Sequence, residues 1–162
     1  MRVRIFTDGA CSENPGPGGW AAVFNTSNKC YTISGYEEST TNNRMELMAV
    51  IKTLEKITRL EHGRTHHNEY EIHSDSAYVV NTINNRWIEK WHANDWKTTK
   101  HEDVKNRDLW EKFRCLKHKL ACNEVDIAFI KIKGHAGNTF NELVDKLAKE
   151  ESMKAKEILK KS

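Results

Sequence analysis

Four acidic residues, far apart along the chain, are candidates for one chemical site: Asp8, Glu46, Asp75 and Asp145. Carboxylates that lie close together repel one another, so such a cluster needs cations, and hard oxygen ligands favour Mg²⁺ or Mn²⁺ over zinc. Mg²⁺ commonly takes substrate phosphate as a further ligand. If these acids converge, we therefore expect phosphodiester chemistry on a nucleic acid.

Each acid also has a simpler explanation when it is considered alone. Asp8 precedes a glycine, and Asp-Gly is a common turn dipeptide. Glu46 could form a capping box with Asn43 in a first helical turn, and Asp75 could be the N-cap of the next helix. Asp145 could be a solvated helix charge. The choice between these explanations and a metal site depends on the fold.

Three short segments open the chain and are rich in β-branched and aromatic residues, at residues 2–7, 19–25 and 29–36. Turn residues separate them, so they predict consecutive antiparallel strands. Two later strands are predicted at residues 69–73 and 125–132. Apolar spacing predicts helices at residues 42–60, 76–85, 107–121 and 141–160. In the first of these, the predicted core-facing stripe is Leu47, Val50, Ile51, Leu54 and Ile57.

This order predicts an α/β fold with a five-stranded mixed sheet: three antiparallel strands, then parallel strands, with helices on both faces. Strands one and four should be parallel neighbours, which brings Asp8 and Asp75 to adjacent carboxyl ends. Glu46 would project from a helix beside that rim, and Asp145 from the edge of the terminal helix. The four carboxylates can then converge.

Length and composition set wider limits. With 162 residues and 38% hydrophobic content, we expect a single domain over residues 1–162. A net charge of +3, from 26 basic and 23 acidic residues, decides little about partners. With no signal-like segment or membrane span, we expect a cytoplasmic protein that does not enter a membrane, and a monomer. The four cysteines lack a regular framework, which favours free, buried thiols over disulfides or structural zinc.

Five segments in order carry a resemblance to a known family: TDGACSENPGPGGW, TTNNRMELMAV, HSDSAYVVN, WKT with VKNRDLW, and IKGHAGN with NELVDKLA. Over about 140 residues they resemble type 1 ribonuclease H. The resemblance implies the ribonuclease H-like fold and hydrolysis of the RNA strand of an RNA/DNA hybrid, leaving 3′-hydroxyl and 5′-phosphate ends. It also implies a two-metal mechanism with Mg²⁺, or Mn²⁺ as a substitute, bound by Asp8, Glu46, Asp75 and Asp145.

Two further catalytic candidates come from the resemblance. His135, in the sequence GHAG, matches a family histidine that could position water, pass protons or release product. Its simpler explanation is a loop histidine. Glu142 matches a family acid near the scissile phosphate, although a glutamate in the first turn of a helix also complements the helix dipole.

The resemblance also implies six substrate-binding residues: Asn14, Thr41, Asn42, Asn43, Trp87 and Asn106. The asparagines suit minor-groove contacts to a hybrid, and their simpler roles are turns and helix caps. Ser39 departs from the family, because an arginine usually occupies this position of the phosphate pocket. The Trp-rich segment, residues 86–107, corresponds to a basic protrusion, but its six basic and four acidic residues give only +2.

Two other function classes compete with a hybrid-specific nuclease. A non-catalytic hybrid or double-stranded RNA binding module would be expected to lack at least one of the four carboxylates, and all four are present. An integrase or resolvase on the same fold would not be expected to carry the GHAG loop and the Trp-bearing segment. The histidines His62, His66, His67 and His73 have no cysteine partner or regular helical spacing, so a polar loop explains them better than a transition-metal site.

Overall fold

The protein is built around one five-stranded mixed sheet. The computed structural model describes residues 1–134 and 138–161. Its strands are β1 Arg2–Cys11, β2 Gly16–Asn25, β3 Cys30–Thr40, β4 Glu69–Ser74 and β5 Ile127–Lys131, in the spatial order β3-β2-β1-β4-β5. The β1–β2 and β2–β3 pairs are antiparallel, whereas β1–β4 and β4–β5 are parallel. The predicted mixed sheet is confirmed.

Five helices accompany the sheet: α1 Asn42–Glu61, α2 Ala77–Asn84, α3 Trp87–Ala93, α4 Arg107–Cys122 and α5 Thr139–Lys160. Four of them correspond to the predicted helices. The short helix α3 lies inside the Trp-rich segment and was not predicted, because Ile88 is its only buried residue and it has no apolar stripe. No helix within the described ranges is long and apolar enough to cross a bilayer.

Hydrophobic residues pack on both faces of the sheet. On one face, Ile5 and Phe24 belong to a core cluster with the predicted stripe of α1 and with Trp110 of α4. On the other face, Phe6 and Val23 pack with Val144 and Ala148 of α5. Alternate residues of β1 therefore point to opposite layers, as the two-residue period of a strand requires. Helices cover both faces, as predicted.

The strand β1 ends later than predicted, whereas α1 begins at the predicted residue, and both boundaries concern site residues. The strand β1 continues past Asp8 to Cys11, where it pairs only with β2. Only the parallel ladder to β4 stops before Asp8, since its last pair is Thr7–Ser74. The helix α1 begins at Asn42 with Thr41 as its N-cap, so Glu46 lies beyond the first turn.

Candidate active site

Asp8 and Asp75 meet at one rim because parallel strands end there together. Each residue directly follows the last parallel pair between β1 and β4, Thr7 with Ser74. The Asp8 side chain is held by its own strand, because Gly9 N–H donates to Asp8 Oδ1 at 2.9 Å. The carboxyl edge of parallel strands is where open α/β sheets commonly bind ligands. The sequence argument for this pair is confirmed.

Glu46 reaches the same rim because α1 crosses unusually close to β1. A Cβ atom on Gly9 would clash with the backbone nitrogen of Glu46 and would lie 2.8 Å from the Cβ of Met45. Only a glycine permits this approach. The stripe of buried residues on α1 holds the helix against the sheet at this height: Leu47, Val50, Ile51, Leu54 and Ile57.

Three of the four predicted metal ligands converge. One carboxylate oxygen from each of Asp8, Glu46 and Asp75 lies within 4.8 Å of the others. Asp8 is 4% exposed and Glu46 is 5% exposed, so these acids are withdrawn from bulk water. Among the described residues, the buried Oε2 atom of Glu46 has no hydrogen-bond partner. A buried carboxylate oxygen without a donor, in an all-oxygen set, fits a hard divalent cation.

The ionisation of this cluster is strongly perturbed. Burial raises the pKa of Asp8 to about 7, and the negative charges of Asp75 and Asp145 act in the same direction. Burial and the neighbouring Asp8 raise the pKa of Glu46 well above its usual range. Both carboxyl groups therefore resist carrying full negative charges together, and a bound cation would favour their ionised forms.

Asp145 lies on α5 beside the other acids. It is half-buried, and both a hydrogen bond and its charge act on Asp8. Lys149, one turn later, places its Nζ 3.0 Å from Asp145 Oδ2. The explanation of Asp145 as a solvated helix charge is therefore only partly right, because Asp145 interacts both with Asp8 and with Lys149.

The simpler explanations for the other acids are wrong. Asp8 lies within a strand and not in a turn. Thr41, whose hydroxyl accepts from Arg44 N–H at 3.2 Å, is the N-cap of α1, which excludes a capping box from Asn43 to Glu46. Ser76 is the N-cap of α2 and accepts from Val79 N–H at 3.2 Å, so Asp75 has no capping role.

Three of the predicted substrate residues, Asn14, Asn42 and Asn43, lie together where α1 begins. Asn14 Oδ1 accepts from Asn42 N–H at 3.1 Å, which ties the loop after β1 to the first turn of α1. Asn42 and Asn43 are the first two residues of that helix and are exposed. The N–H groups of Asn42 and Arg44 at this helix start are therefore already engaged, by Asn14 and by the Thr41 hydroxyl.

Arg44 is a residue that the sequence argument missed. Its guanidinium forms two hydrogen bonds to Asp108, at 2.9 and 2.8 Å, and Nη1 also donates to Asn106 Oδ1 at 3.3 Å. Asn106, with φ of 60°, donates in turn to Tyr78 Oη at 3.0 Å. This network joins the candidate phosphate residues Thr41 and Asn106 through a cation. The segment NNRME gave no signal for a partner 64 residues away.

The Trp-rich segment presents one aromatic residue to solvent. Trp87 is 38% exposed, and Lys90 Nζ lies 4.8 Å above its ring. Trp91 packs edge-on against the buried Trp110, and Trp96 is buried in the main core. Trp87 is therefore the tryptophan of this segment that is available to a ligand.

Two catalytic candidates have different outcomes. His135 lies outside the described residues. Glu142 is exposed and is the acidic residue in the first turn of α5, whose N-cap Asn138 accepts from Phe140 N–H and Asn141 N–H. Both explanations for Glu142, a site acid and a partner for the helix dipole, agree with this position.

The sequence analysis predicted no transition-metal site at the remaining histidines and free thiols at the cysteines. His67 Nδ1 lies 2.6 Å from Glu61 Oε2, and His73 stacks on Phe6 with ring centroids 4.7 Å apart. Among the described residues, only Asp8, Glu46 and Asp75 form a cluster of three potential metal ligands. All four cysteines are free, as predicted, but the prediction that they are buried is wrong, because Cys30, Cys115 and Cys122 are exposed and Cys11 is half-buried.

A mixed sheet with a buried carboxylate cluster at its rim defines the class of the protein as an α/β protein with a candidate site for a divalent cation. A family model described as RNase H matches residues 1–153. The protein named Ribonuclease H from Acetivibrio thermocellus is 44% identical over 153 residues, which cover 94% of this chain and 96% of the relative. Another Ribonuclease H, from Syntrophomonas wolfei subsp. wolfei, is 47% identical over 147 residues, covering 91% and 93%.

Solved structures agree with these relatives. The structure of LC11-RNase H1 in complex with an RNA/DNA hybrid has a TM-score of 0.69 and 26% identity. The match covers 94% of this chain and 98% of that one. The chain belongs to the ribonuclease H family.

Proposed function

We propose that this protein is an endonuclease that hydrolyses the RNA strand of RNA/DNA hybrids, leaving 3′-hydroxyl and 5′-phosphate ends. The observation that carries the proposal is the convergence of Asp8, Glu46 and Asp75 within 4.8 Å at the carboxyl rim of the sheet. The hybrid bound by the similar LC11-RNase H1 supports the choice of substrate.

Asp8, Glu46, Asp75 and Asp145 would hold two Mg²⁺ ions, with Mn²⁺ as a substitute. Such ions, when bound, lower the pKa of an attacking water and stabilise the leaving oxygen of an in-line displacement. Asp8 would lie between the other ligands, because its carboxylate lies within 4.8 Å of those of Glu46 and Asp75 and the charge of Asp145 also acts on it. The buried Asp8 and Glu46 exclude bulk water from one side of the site and keep the ligand set rigid.

The groups beside the cluster would read the hybrid. Asn14, Asn42 and Asn43 present amides that can contact base edges and 2′-hydroxyls in a shallow minor groove without reading the base sequence. Thr41 and Asn106 would receive a phosphate of the DNA strand, and Arg44, whose charge is paired with Asp108, would hold Asn106 in place. The exposed Trp87 ring would pack on DNA sugars.

Two residues would move or hold protons. His135 would carry a proton to or from the site, since the ordinary pKa of an imidazole lies near neutrality. Glu142, at the start of α5, would act as an auxiliary acid beside the scissile phosphate. Both roles rest on the resemblance of the sequence GHAGN and NELVDKLA to the family.

The first test compares substrates. Purified protein with Mg²⁺ is incubated with end-labelled RNA/DNA hybrid, duplex DNA and duplex RNA. We expect cleavage within the RNA strand of the hybrid alone, and products whose 3′ ends a polymerase can extend. Cleavage of duplex DNA, or 3′ ends that carry phosphate, would refute this assignment.

The second test uses matched substitutions. Asp8→Asn should abolish cleavage, whereas Asp126→Asn, the same change at an exposed residue before β5, should leave it unchanged. Removal of the metal by a chelator should stop the unaltered protein and be reversed by Mg²⁺. Full activity in Asp8→Asn, or activity after chelation, would contradict a metal-dependent mechanism at this cluster.

A further inference from the structure

Two residues with affinity for transition metals lie together at the far end of α4. His118 and Cys122 are four residues apart, and His118 Nε2 lies 3.6 Å from Cys122 Sγ. Both side chains are exposed. The helix α4 begins beside Asn106 and ends at Cys122, so this pair lies roughly 20 Å along the helix from the side that faces Arg44.

The distance between the two ligand atoms is the one that a shared metal ion requires. In a tetrahedral zinc site, with Zn–S near 2.3 Å and Zn–N near 2.0 Å, sulfur and nitrogen are separated by roughly 3.5 Å. Residues four apart on a helix project from one face, which is also how paired metal-binding histidines are commonly arranged. His118 and Cys122 can therefore bind one ion without moving the backbone.

Some charges around His118 and Cys122 favour the binding of a cation, and others oppose it. Cys122 is the last residue of α4, where the negative end of the helix dipole favours a cation, although residues 123–125 donate to most of the last carbonyl groups. The positive charges of Lys117 and Lys119, on either side of His118, oppose the binding of a cation. The charge of Arg114 has less effect, because this residue is paired with Glu89 at 3.1 Å. We expect a weaker site than a four-ligand structural zinc centre, with solvent completing the coordination.

The ligand types select the ion. Thiolate and imidazole are soft or borderline ligands, which favour Zn²⁺, Co²⁺ or Cd²⁺ over the Mg²⁺ expected at the carboxylates. On binding, the Cys122 thiol releases its proton to solvent and a metal–sulfur bond forms, so no oxidant is needed. We propose that His118 and Cys122 form a chelating site for a thiophilic divalent ion, separate from the active site.

Cys115 is the main alternative ligand, because it precedes His118 by one turn. It lines a cavity of about 240 Å³ together with His92, Glu111 and His118. Cys115 and Cys122 are seven residues apart, about 10 Å along the helix, so one ion cannot bind both sulfurs. The measured contact of His118 is with Cys122, and the proposal commits to that pair.

The experiment titrates the full-length protein with Cd²⁺, in saturating Mg²⁺, and records thiolate-to-metal charge-transfer absorption. Carboxylate ligands give no such band, so the readout is independent of the active site. The unaltered protein should show a saturable band. Cys122→Ser should lose it, and His118→Ala should need a much higher Cd²⁺ concentration to reach it.

Two cysteine substitutions serve as controls. Cys30→Ser, at the start of β3, and Cys115→Ser should both keep the band and its concentration dependence. Loss of the band in Cys115→Ser, its persistence in Cys122→Ser, or an unchanged titration in His118→Ala would overturn the proposal. Hydrolysis of hybrid, measured in Mg²⁺, should be the same in all four variants and reports their folding.

Discussion

Asp8 and Glu46 are carboxylic acids whose burial opposes their ionisation. Both side chains are nearly inaccessible to water, and burial is the main cause of their raised pKa values. In the absence of metal, ionising Asp8 beside Asp75 and Asp145 costs free energy that the fold must supply. Removing that charge should therefore stabilise the metal-free protein while it destroys the site.

Asp8→Asn should raise the free energy of unfolding of the metal-free protein by on the order of 1 to 3 kcal/mol at pH 8. The pKa of Asp8 rises from 3.8 to about 7 on folding, so the penalty is absent near pH 4, grows towards pH 7 and is constant above it. Urea unfolding between pH 4 and pH 8 measures this gain. A gain that is the same at every pH, or a destabilised variant, would contradict the assignment.

Saturating Mg²⁺ provides the control for this prediction. Ions that bind the folded carboxylates stabilise the unaltered protein by mass action, and should stabilise Asp8→Asn much less. The difference in stability between the two proteins should therefore shrink or reverse with Mg²⁺. Asp126→Asn, at an exposed position, should follow the unaltered protein in both conditions.

At the scale of elements, the spacing of apolar residues predicted the long helices with a buried stripe and missed the elements that are fixed by a few distant contacts. The buried stripe of α1 follows the helical period and was predicted residue by residue. The helix α3 was missed because its sequence buries one side chain, Ile88, and its place depends on contacts made by α4. The Arg44–Asp108 pair joins residues 64 apart, which one sequence does not reveal.

The same limits apply to the carboxylates. The parallel pairing of β1 with β4 brought Asp8 and Asp75 together, and that followed from element order. The depth of Glu46 did not, because it depends on the cap at Thr41 and on the contact at Gly9. Convergence of the site was predictable from topology, whereas burial and ionisation depended on side-chain packing.

Gly9 sets the spacing between β1 and α1, so Gly9→Ala should push Glu46 away from Asp8. We expect a loss of about 1 to 3 kcal/mol in stability, from overpacking, and a fall in hydrolysis of roughly 100-fold, from misplaced carboxylates. Gly63→Asn is the control, since a Cβ atom there meets no atom within 4 Å and asparagine tolerates the φ of 75°. Equal activity in Gly9→Ala would contradict the close approach.

The Trp-rich segment should contribute few phosphate contacts. Lys97 is paired with Asp103, and Arg107 with Glu111 at 2.7 Å, which removes two of its six cations from substrate binding. Since each phosphate contact contributes roughly 0.9 to the slope of log affinity against log salt, that slope should be shallow.

Charge reversal in this segment tests the point. Asp103→Lys removes an acid, adds a base and releases Lys97, so it should steepen the salt dependence of hybrid binding, measured by fluorescence anisotropy in the Asp8→Asn background. Glu150→Lys makes the same change on α5, outside the segment, and should leave the slope unchanged. An unaltered slope in Asp103→Lys would mean that the segment does not touch the hybrid.

Across the whole molecule, α1 carries a buried acid near each end, with opposite consequences. Glu46 has an oxygen without a hydrogen-bond partner among the described residues and belongs to the site. Glu61, the last residue of the helix and about 22 Å away along it, has a 2% exposed side chain that is fully engaged. It accepts from the Tyr70 hydroxyl, and His67 Nδ1 lies 2.6 Å from its other oxygen. One acid is adapted to bind a cation, and the other stabilises the fold.

Glu61→Gln should therefore lower stability without changing catalysis. Burial alone would raise the pKa of Glu61, but the hydrogen bonds from Tyr70 and His67 outweigh it and lower that pKa below its usual value of 4.5. A lowered pKa in the folded state means that the carboxylate stabilises the fold above about pH 4.5 and ceases to do so as the pH falls through the folded value. At pH 7 the loss should be about 1 to 3 kcal/mol, and it should diminish in acid.

Glu69→Gln, at an exposed acid 3.9 Å from Arg2, is the control and should change stability by less than about 0.5 kcal/mol. Urea unfolding of Glu61→Gln at several pH values measures the loss of stability, and hybrid cleavage in the absence of urea measures the activity of the folded variant. A loss of stability that does not depend on pH would contradict the role given to the Glu61 carboxylate. A loss of turnover in the folded variant would show that the two ends of α1 are not independent.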